Sequence, residues 1–443
     1  MATVKRALSW SLVTAATAAL FLGSAEQQPA EAAKIYVEVD KPGGKNLPLS
    51  LPTPKGESSE ADQFWRTVWR DLEISGYFHL VDPDAYVENG SAGVEPGTFD
   101  YDDWDISDTV VLAKSKLTGS GDKLRSEIWV YDVPGTRKLG AKAFSGKPDQ
   151  VRRLAHKTAD EILRQVTGKA GIFNTRFAAV NSGTGNKEIY LVDIDGEGVV
   201  QLTRNRSINL SPAWAPAGDR IAFTSYRSGN PDLYIADLNS GRTHRLSSRP
   251  GLNTGGAFSP SGGLLALTLT SGGGETDIFT IDPSAGSQIA QLTKGNGIDV
   301  SPAWSPGGDQ VAFASDRTGS PQIYVMDASG SGARRLTFQG GYNTDPAWSP
   351  TGDAVAYVTR GENGSFDIMT VSPSGDEPRR ITQLQGSNED PTWSPDGRYL
   401  AFVSNRTGSN QIWVSTADGR HQTQITRGYG GWSNPSWSPE LAW

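Results

Sequence analysis

Residues 301–330 read SPAWSPGGDQVAFASDRTGSPQIYVMDASG, and residues 391–419 return to the same pattern as PTWSPDGRYLAFVSNRTGSNQIWVSTADG. In the first copy, Ala303 to Ser305 begin a strand, and Pro306-Gly307-Gly308-Asp309 form a turn whose glycines accept positive φ. Gln310 to Ser315 then alternates, with Val311 and Phe313 on one side, as a half-buried strand does. Asp316 to Ser320 turn again and Gln322 to Met326 make a third strand. Asp327 to Gly332 turn once more, and Arg335 to Thr337 make a fourth strand. The stretch therefore encodes four short antiparallel strands.

Two independent registers count the copies. The aromatic residue before Ser/Ala-Pro recurs as Trp214, Phe258, Trp304, Trp348, Trp393 and Trp437, at intervals of 44, 46, 44, 45 and 44 residues. The large side chain of the third strand recurs as Tyr190, Tyr234, Phe279, Tyr324, Met369 and Trp413. A four-stranded unit repeated at this period is the signature of a propeller blade. The fold class expected is an all-β six-bladed β-propeller, spanning 169–443, preceded by a small α/β domain. The first unit, Arg176 to Thr203, lacks a Trp-Ser-Pro strand, and the sixth Trp-Ser-Pro, at Trp437, has no unit after it. Asn434 to Pro439 is therefore expected to pair into the first blade and close the ring, which leaves no long sheet edge open. The Trp, Ser/Ala-Pro and Gly-Asp positions read as scaffold, with each Trp filling the wedge between neighbouring blades.

Upstream of the repeat, residues 57–168 form the α/β domain. A helix is expected over 60–75, capped by Ser59 with Asp62 at the capping-box position, bearing Phe64, Val68 and Leu72 on one face and ended by Gly76. A second helix is expected from Asp149 to Thr167, with Val151, Leu154, Ala155, Thr158, Ile162 and Val166 as its apolar stripe and Gly168 as its stop. Thr109 to Leu117 and Glu127 to Val133 alternate as strands. Residues 33–56 begin with a strand-like alternation, Ile35, Tyr36, Val37, Glu38, Val39 and Asp40, and then break into Pro and Gly. They read either as an edge strand or linker, or as an arm that adds a strand to a partner.

The first 32 residues carry Lys5 and Arg6 ahead of an apolar run from Ala7 to Leu22 and then small residues, the layout of a secretory signal peptide cleaved after Ala32 or after Ala25. The run is shorter than the roughly 20 residues that span a bilayer, so no direct membrane insertion is expected. The sequence has no Cys, so neither a lipid-anchor thiol nor a disulfide is available. A net charge of −8 with scattered basic residues excludes a nucleic-acid footprint.

Catalytic and metal motifs are missing. The histidines at 79, 156, 244 and 421 share no ligand spacing, and no Gly-x-Ser-x-Gly elbow, P-loop or Gly-x-Gly-x-x-Gly is present. Asp193-Ile194-Asp195-Gly196 matches only part of a calcium loop and reads as an Asx turn. Neither a cofactor nor a metal is expected. What varies between blades are the residues before each anchor: Leu210-Ser211, Thr254-Gly255, Val300-Ser301, Thr344-Asp345, Glu389-Asp390 and Ser433-Asn434. These are expected to be loops at one mouth of the channel, on the same face as the turns bearing Arg227, Arg317 and Arg406, and to make a recognition surface on a rigid scaffold.

The secretory start, WRTVWRDLEISGYFHLVD at 65–82, the junction GKAGIFNTRFAAV at 168–180, the repeated S-P-A-W-S-P-x-G-D units and the terminal NPSWSP at 434–439 together resemble the TolB family. That family is the periplasmic component of the Tol-Pal system. The resemblance implies a non-enzymatic periplasmic protein, monomeric, that supports outer-membrane integrity and constriction at cell division. It implies Pal lipoprotein binding at the propeller mouth, through Asn253, Val300, Ser301, Thr344, Asp345, Glu389 and Asp390, and TolA binding through the arm Ile35 to Asp40. The chain departs from the family at Leu252, where members can carry a histidine, and at Val300-Ser301, which is less acidic than the resemblance implies. The alternative function is a propeller hydrolase or lyase acting on sugars or peptides, for which Asp345 and Asp390 are the available carboxylate pair.

Overall fold

The computed structural model describes residues 46–270, 275–295, 297–428 and 430–441. The expected signal peptide, Ile35 to Asp40 and the rest of the arm as far as residue 45 lie outside the described residues.

The small domain is one five-stranded sheet with two long helices. Its elements in chain order are β1 (Leu47–Ser50), α1 (Ala61–Ser75), β2 (Phe78–Leu80), the single turn α2 (Asp102–Asp105), β3 (Val111–Ser120), β4 (Lys123–Asp132), β5 (Arg137–Gly146) and α3 (Val151–Thr167). The sheet order is β2-β1-β3-β4-β5, with β1 parallel to both of its neighbours. Residues 47–56 are thus not arm. Leu49 and Leu51 are buried, and β1 lies inside the sheet rather than at its edge, because the apolar residues of LPLSL are needed to complete the core.

Both helices run close to their expected spans, and the apolar stripe of α3 is buried in full. They end where glycine permits a left-handed residue: Gly76 has φ +67° and Gly168 φ +76°. The start of α1 differs from expectation. The N-cap is Glu60, without a side-chain cap bond, because Ser58 and Ser59 instead donate to the Glu60 carboxylate. The strands expected over 109–117 and 127–133 are β3 and β4, both of which reach further toward the hairpin turn between them, β3 to Ser120 and β4 back to Lys123. β5 escaped the sequence reading because RKLGAKAFSG shows little alternation, its outer edge being exposed.

Six four-stranded antiparallel sheets follow. Counted from the inside, blade 1 is Trp432–Trp437, Arg176–Asn181, Glu188–Asp193 and Val200–Gln201. The chain's last strand therefore closes the ring, pairing Trp432 with Asn181 and Trp437 with Phe177. Blades 2 to 6 begin with inner strands Asn209–Trp214, Asn253–Phe258, Asp299–Trp304, Asn343–Trp348 and Asn388–Trp393, and these strands pack on one another around the axis. The outermost strands are short, two residues each at Arg334–Arg335 and Arg379–Arg380.

Each anchor aromatic fills the wedge against the preceding blade. Trp304 packs on Ala266 and Ile278 of blade 3, and its indole N–H donates to the Ala257 carbonyl at 3.0 Å. Trp393 repeats the bond to Ala347, also at 3.0 Å. A second repeated clip was not read from the sequence. In five of the six blades the Thr after the fourth strand accepts from the backbone N–H of the third: Thr203 from Ile189, Thr293 from Ile278, Thr337 from Ile323, Thr382 from Ile368 and Thr426 from Ile412.

Candidate functional site

The variable positions before the anchors are not loops. They lie within the inner strands, where the pairing slips, between Val300 and Ala303 in blade 4 and at the equivalent places in the others. At each slip one residue is left-handed: Ser211 (φ 49°), Gly255 (66°), Ser301 (54°), Asp345 (50°), Asp390 (55°) and Asn434 (48°). A bulge of this kind pushes one peptide out of the ladder and re-aims its side chain. Proline follows in five of the six, where no ladder donor is needed.

On blades 4 to 6 these bulges bring Val300, Ser301, Thr344, Asp345, Glu389 and Asp390 into one arc of the channel wall. Ser301 Oγ donates to Asp345 Oδ1 at 3.2 Å. Asp390 accepts from the backbone N–H and the side-chain amide of Asn434, at 2.8 and 2.9 Å. Burial in the wall pushes the Asp345 carboxyl up to about 6, and the neighbouring Asp390 charge adds to this. Burial also raises Asp390, against the two Asn434 bonds that favour its charge. Glu389 is exposed, and desolvation followed by Asp390 raises it. The mouth is therefore acidic and grows less so as the pH falls through the range near 6.

The other candidates are placed differently. Asn253 is fully buried, and its amide holds the preceding turn by bonds to Ser247, Arg249 and Gly251, so it presents nothing to a partner. Arg317 lies on the mouth face but is turned inward, with Nη2 3.0 Å from both Asp299 carboxylate oxygens. Arg406 bonds Asn388, Ser404 and Gln422 and lies 4.4 Å from the Trp413 ring centre, and burial pushes its guanidinium down to about 10. Arg227 stacks 3.8 Å over Tyr234. In each case a cation sits on the aromatic of the third strand of its own blade, which braces the turn.

Beside the acidic arc the same face carries exposed apolar side chains that sequence reasoning passed over. They occupy the connections into the inner strands: Ile208, Ile298, Phe338, Tyr342 and Leu384, with Phe338 72% and Leu384 80% exposed. Leu384 also has φ 54°, a conformation costly for a residue with a Cβ. The signal in the sequence was apolar residues stranded among Gly, Asn and Gln, two in FQGGYN and one in LQGSNE.

Among the described residues, ligand atoms of His156, Asp193 and Asp195 lie within 4.8 Å of one another. Arg152 occupies the cluster, reaching Asp195 at 2.7 and 2.8 Å and Asp193 at 3.1 Å, while Arg176 Nε adds 2.7 Å to Asp193. The Asp193–Gly196 segment is a turn closed by Gly196 N–H to the Asp193 carbonyl at 2.9 Å. Its charges are met by arginine, in keeping with the turn reading.

Comparison with known proteins bears on both domains. A family model described as the TolB beta propeller domain matches residues 163–441, and one described as the TolB amino-terminal domain matches residues 35–139. A protein TolB homolog of Chlorobium luteolum is 35% identical over 91% of this chain and 92% of its own length. A Tol-Pal system protein TolB of Geobacter sulfurreducens is 40% identical over 42% of this chain and 43% of its own. The crystal structure of TolB from Acinetobacter baumannii superposes with a TM-score of 0.79 at 26% identity, covering 89% of this chain and 97% of that one.

Proposed function

The chain belongs to the TolB family, and on that premise we propose that it is the periplasmic interaction component of a Tol-Pal envelope system, with Pal seated on the propeller mouth and TolA engaged by residues 35–40. The observation that carries the mouth assignment is the pairing of exposed apolar groups with a half-buried acidic wall on one face. Phe338, Tyr342 and Leu384 offer surface that gains by desolvation, and Asp345, Glu389 and Asp390 beside them supply polar specificity. A strained, exposed Leu384 is the kind of feature kept for a contact rather than for the fold. Relatives that carry the printed name Tol-Pal system protein TolB support the system, and the secretory layout of residues 1–32 supports the periplasm.

A non-enzymatic role fits the same geometry. The one carboxylate pair that the sequence offered for hydrolysis is engaged by the scaffold, Asp345 accepting from Ser301 and Asp390 from Asn434.

The test is a pull-down with purified Pal and purified TolA on immobilised residues 33–443 and on residues 46–443. Pal is expected on both, TolA on the longer form only, and Phe338→Asp with Leu384→Asp should abolish Pal capture without changing the melt. Failure of the folded chain to hold Pal, or Pal capture indifferent to both substitutions, overturns the mouth assignment.

A further inference from the structure

Propeller closure rests on a strand pair, and the small domain sits across it. The chain enters blade 1 at Arg176 straight from α3 through residues 168–175, so the small domain is covalently tied to one side of the closure. The other side is blade 6 with the closing strand Trp432–Trp437 that follows it. The end of α1 reaches over to that side. Tyr399 Oη donates to the Ser75 carbonyl at 2.9 Å, and His421 Nε2 donates to the Glu73 carbonyl at 3.0 Å. Arg398 bonds Tyr77 Oη at 3.2 Å and the Ala170 carbonyl, while Arg70 bonds the Gln424 carbonyl. Gly76 is required here by contact as well as by φ, since a Cβ would come within 2.8 Å of the His421 ring.

The apolar packing crosses the same line. One core cluster holds Phe64, Leu72 and Ile162 of the small domain together with Tyr399, Ile412 and Val414 of blade 6 and with Phe177, Trp432 and Trp437 of blade 1. The other core clusters of the propeller contain no small-domain residue. On the covalent side, Arg152 of α3 ties down Asp193 and Asp195 of blade 1, and Trp437 Nε1 donates to Thr175 Oγ1 at 2.8 Å.

We propose that the α/β domain is a second clasp on the propeller: docking α1 on blade 6 holds that blade to the Arg176–Asn181 strand, so the ring opens only when both the strand pair and the domain contact let go. The propeller and the small domain are then one cooperative unit at this place and separate units elsewhere, because the core clusters between blades 2 and 3, 3 and 4, 4 and 5, and 5 and 6 hold no residue of either helix. A domain that merely hung from the ring would share no core with blade 6.

Hydrogen exchange on the full mature chain tests this, with Tyr399→Phe and Arg398→Ala made singly and each checked by circular dichroism. Losing the buried Tyr399 bond, or the Arg398 bonds to Tyr77 and Ala170, should speed exchange at residues 432–437 and 176–181 roughly tenfold, with residues 310–315 of blade 4 unchanged. Arg245→Ala, which removes a comparable ion pair to Asp232 in blade 2, should leave the closing strands unchanged and serves as the control. Unaltered exchange at the closing strands in both folded clasp variants overturns the proposal. So does acceleration spread evenly over all blades, or an equal effect from the control. If Arg398→Ala fails to fold, Tyr399→Phe alone decides, because it removes a hydroxyl and leaves the ring in place.

Discussion

Asn434, three residues before the last tryptophan of the ring, gives its backbone and side-chain N–H groups to the two oxygens of Asp390 in the neighbouring blade, at 2.8 and 2.9 Å. The bond pair spans the closure on the mouth side, opposite the small domain. Replacing Asn434 with Ala takes the side-chain donor from the Asp390 carboxylate, leaves the backbone N–H bond, and puts a residue with no side-chain amide at a left-handed φ, and the expected loss is about 1–3 kcal/mol by urea unfolding. Asp390→Ala, which removes both charge and acceptor, should cost less than Asn434→Ala. The reverse order would mean that the carboxylate is better solvated than its surroundings indicate.

Removing residues 432–443 deletes the inner strand of blade 1 and exposes a sheet edge. The cooperative transition of the propeller should disappear from the calorimetric trace, and the protein should associate through Arg176–Asn181. A melt unchanged by the deletion would show that the strand pair contributes little to closure.

Trp304 fills the wedge between blades 3 and 4, so Trp304→Ala should destabilise by about 3–5 kcal/mol, and Trp304→Phe, which chiefly loses the bond to Ala257, by about 1 kcal/mol or somewhat more. Leu384→Gly should run the other way. Relief of a left-handed leucine should raise the melting temperature, while Pal capture falls with the lost side chain. Unfolding midpoints and capture measured on the same preparations separate the two effects.

The small domain has a predictable pH response. Burial alone would depress the His156 ring, but the Asp71 carboxylate 2.8 Å from Nδ1 prevails and the ring is pushed up to about 9 from an ordinary 6.5. Burial pushes Asp71 up to about 6, with His156 opposing, and Asp160 up to about 7, with the Phe173 N–H opposing. All three groups bind protons more tightly folded than unfolded. Their contributions to stability are therefore full below the ordinary values and are lost as the pH rises through about 6, 7 and 9 in turn. The unfolding midpoint should fall between pH 6 and pH 9, and Asp160→Asn should flatten the part of that slope near neutrality. A midpoint that rises over this interval contradicts the sign.

The fold was legible wherever one residue does one job six times. Trp304 and its counterparts, Gly308 in its turn and the alternation of Gln310 to Ser315 repeat at fixed spacing, so the ring and its closure could be read by counting. Residues 47–50 were misplaced because a four-residue strand interrupted by Pro48 and followed by Pro52 and Pro54 looks like a linker, and only the parallel partners Phe78–Leu80 and Val111–Leu112 give it meaning. Part of the mouth was misread for a related reason. A bulge changes the backbone inside a strand while leaving a sequence that looks like a loop, so Ser301 and Asp345 were assigned to loops and lie in inner strands. Arg317 and Arg406 looked like free charges because their partners, Asp299 and Asn388, lie 18 residues away along the chain. Phe338 and Leu384 have no periodic neighbour, and their exposure comes only with the fold.

Closing the ring with its own last strand has a colloidal consequence. The inner edges of all six sheets are enclosed, and three outer ones, at Val200–Gln201, Arg334–Arg335 and Arg379–Arg380, are two residues long and too short to template another chain, while the longest, Thr243–Ser247, carries His244 and Arg245. The long open edge left among the described residues is β5, which bears Arg137, Lys138 and Lys142 along its length and repels a second copy of itself. A protein with sticky apolar groups on one face can therefore stay dispersed in a crowded compartment, because its open strands are short or bear like charges and give a stray neighbour little to extend.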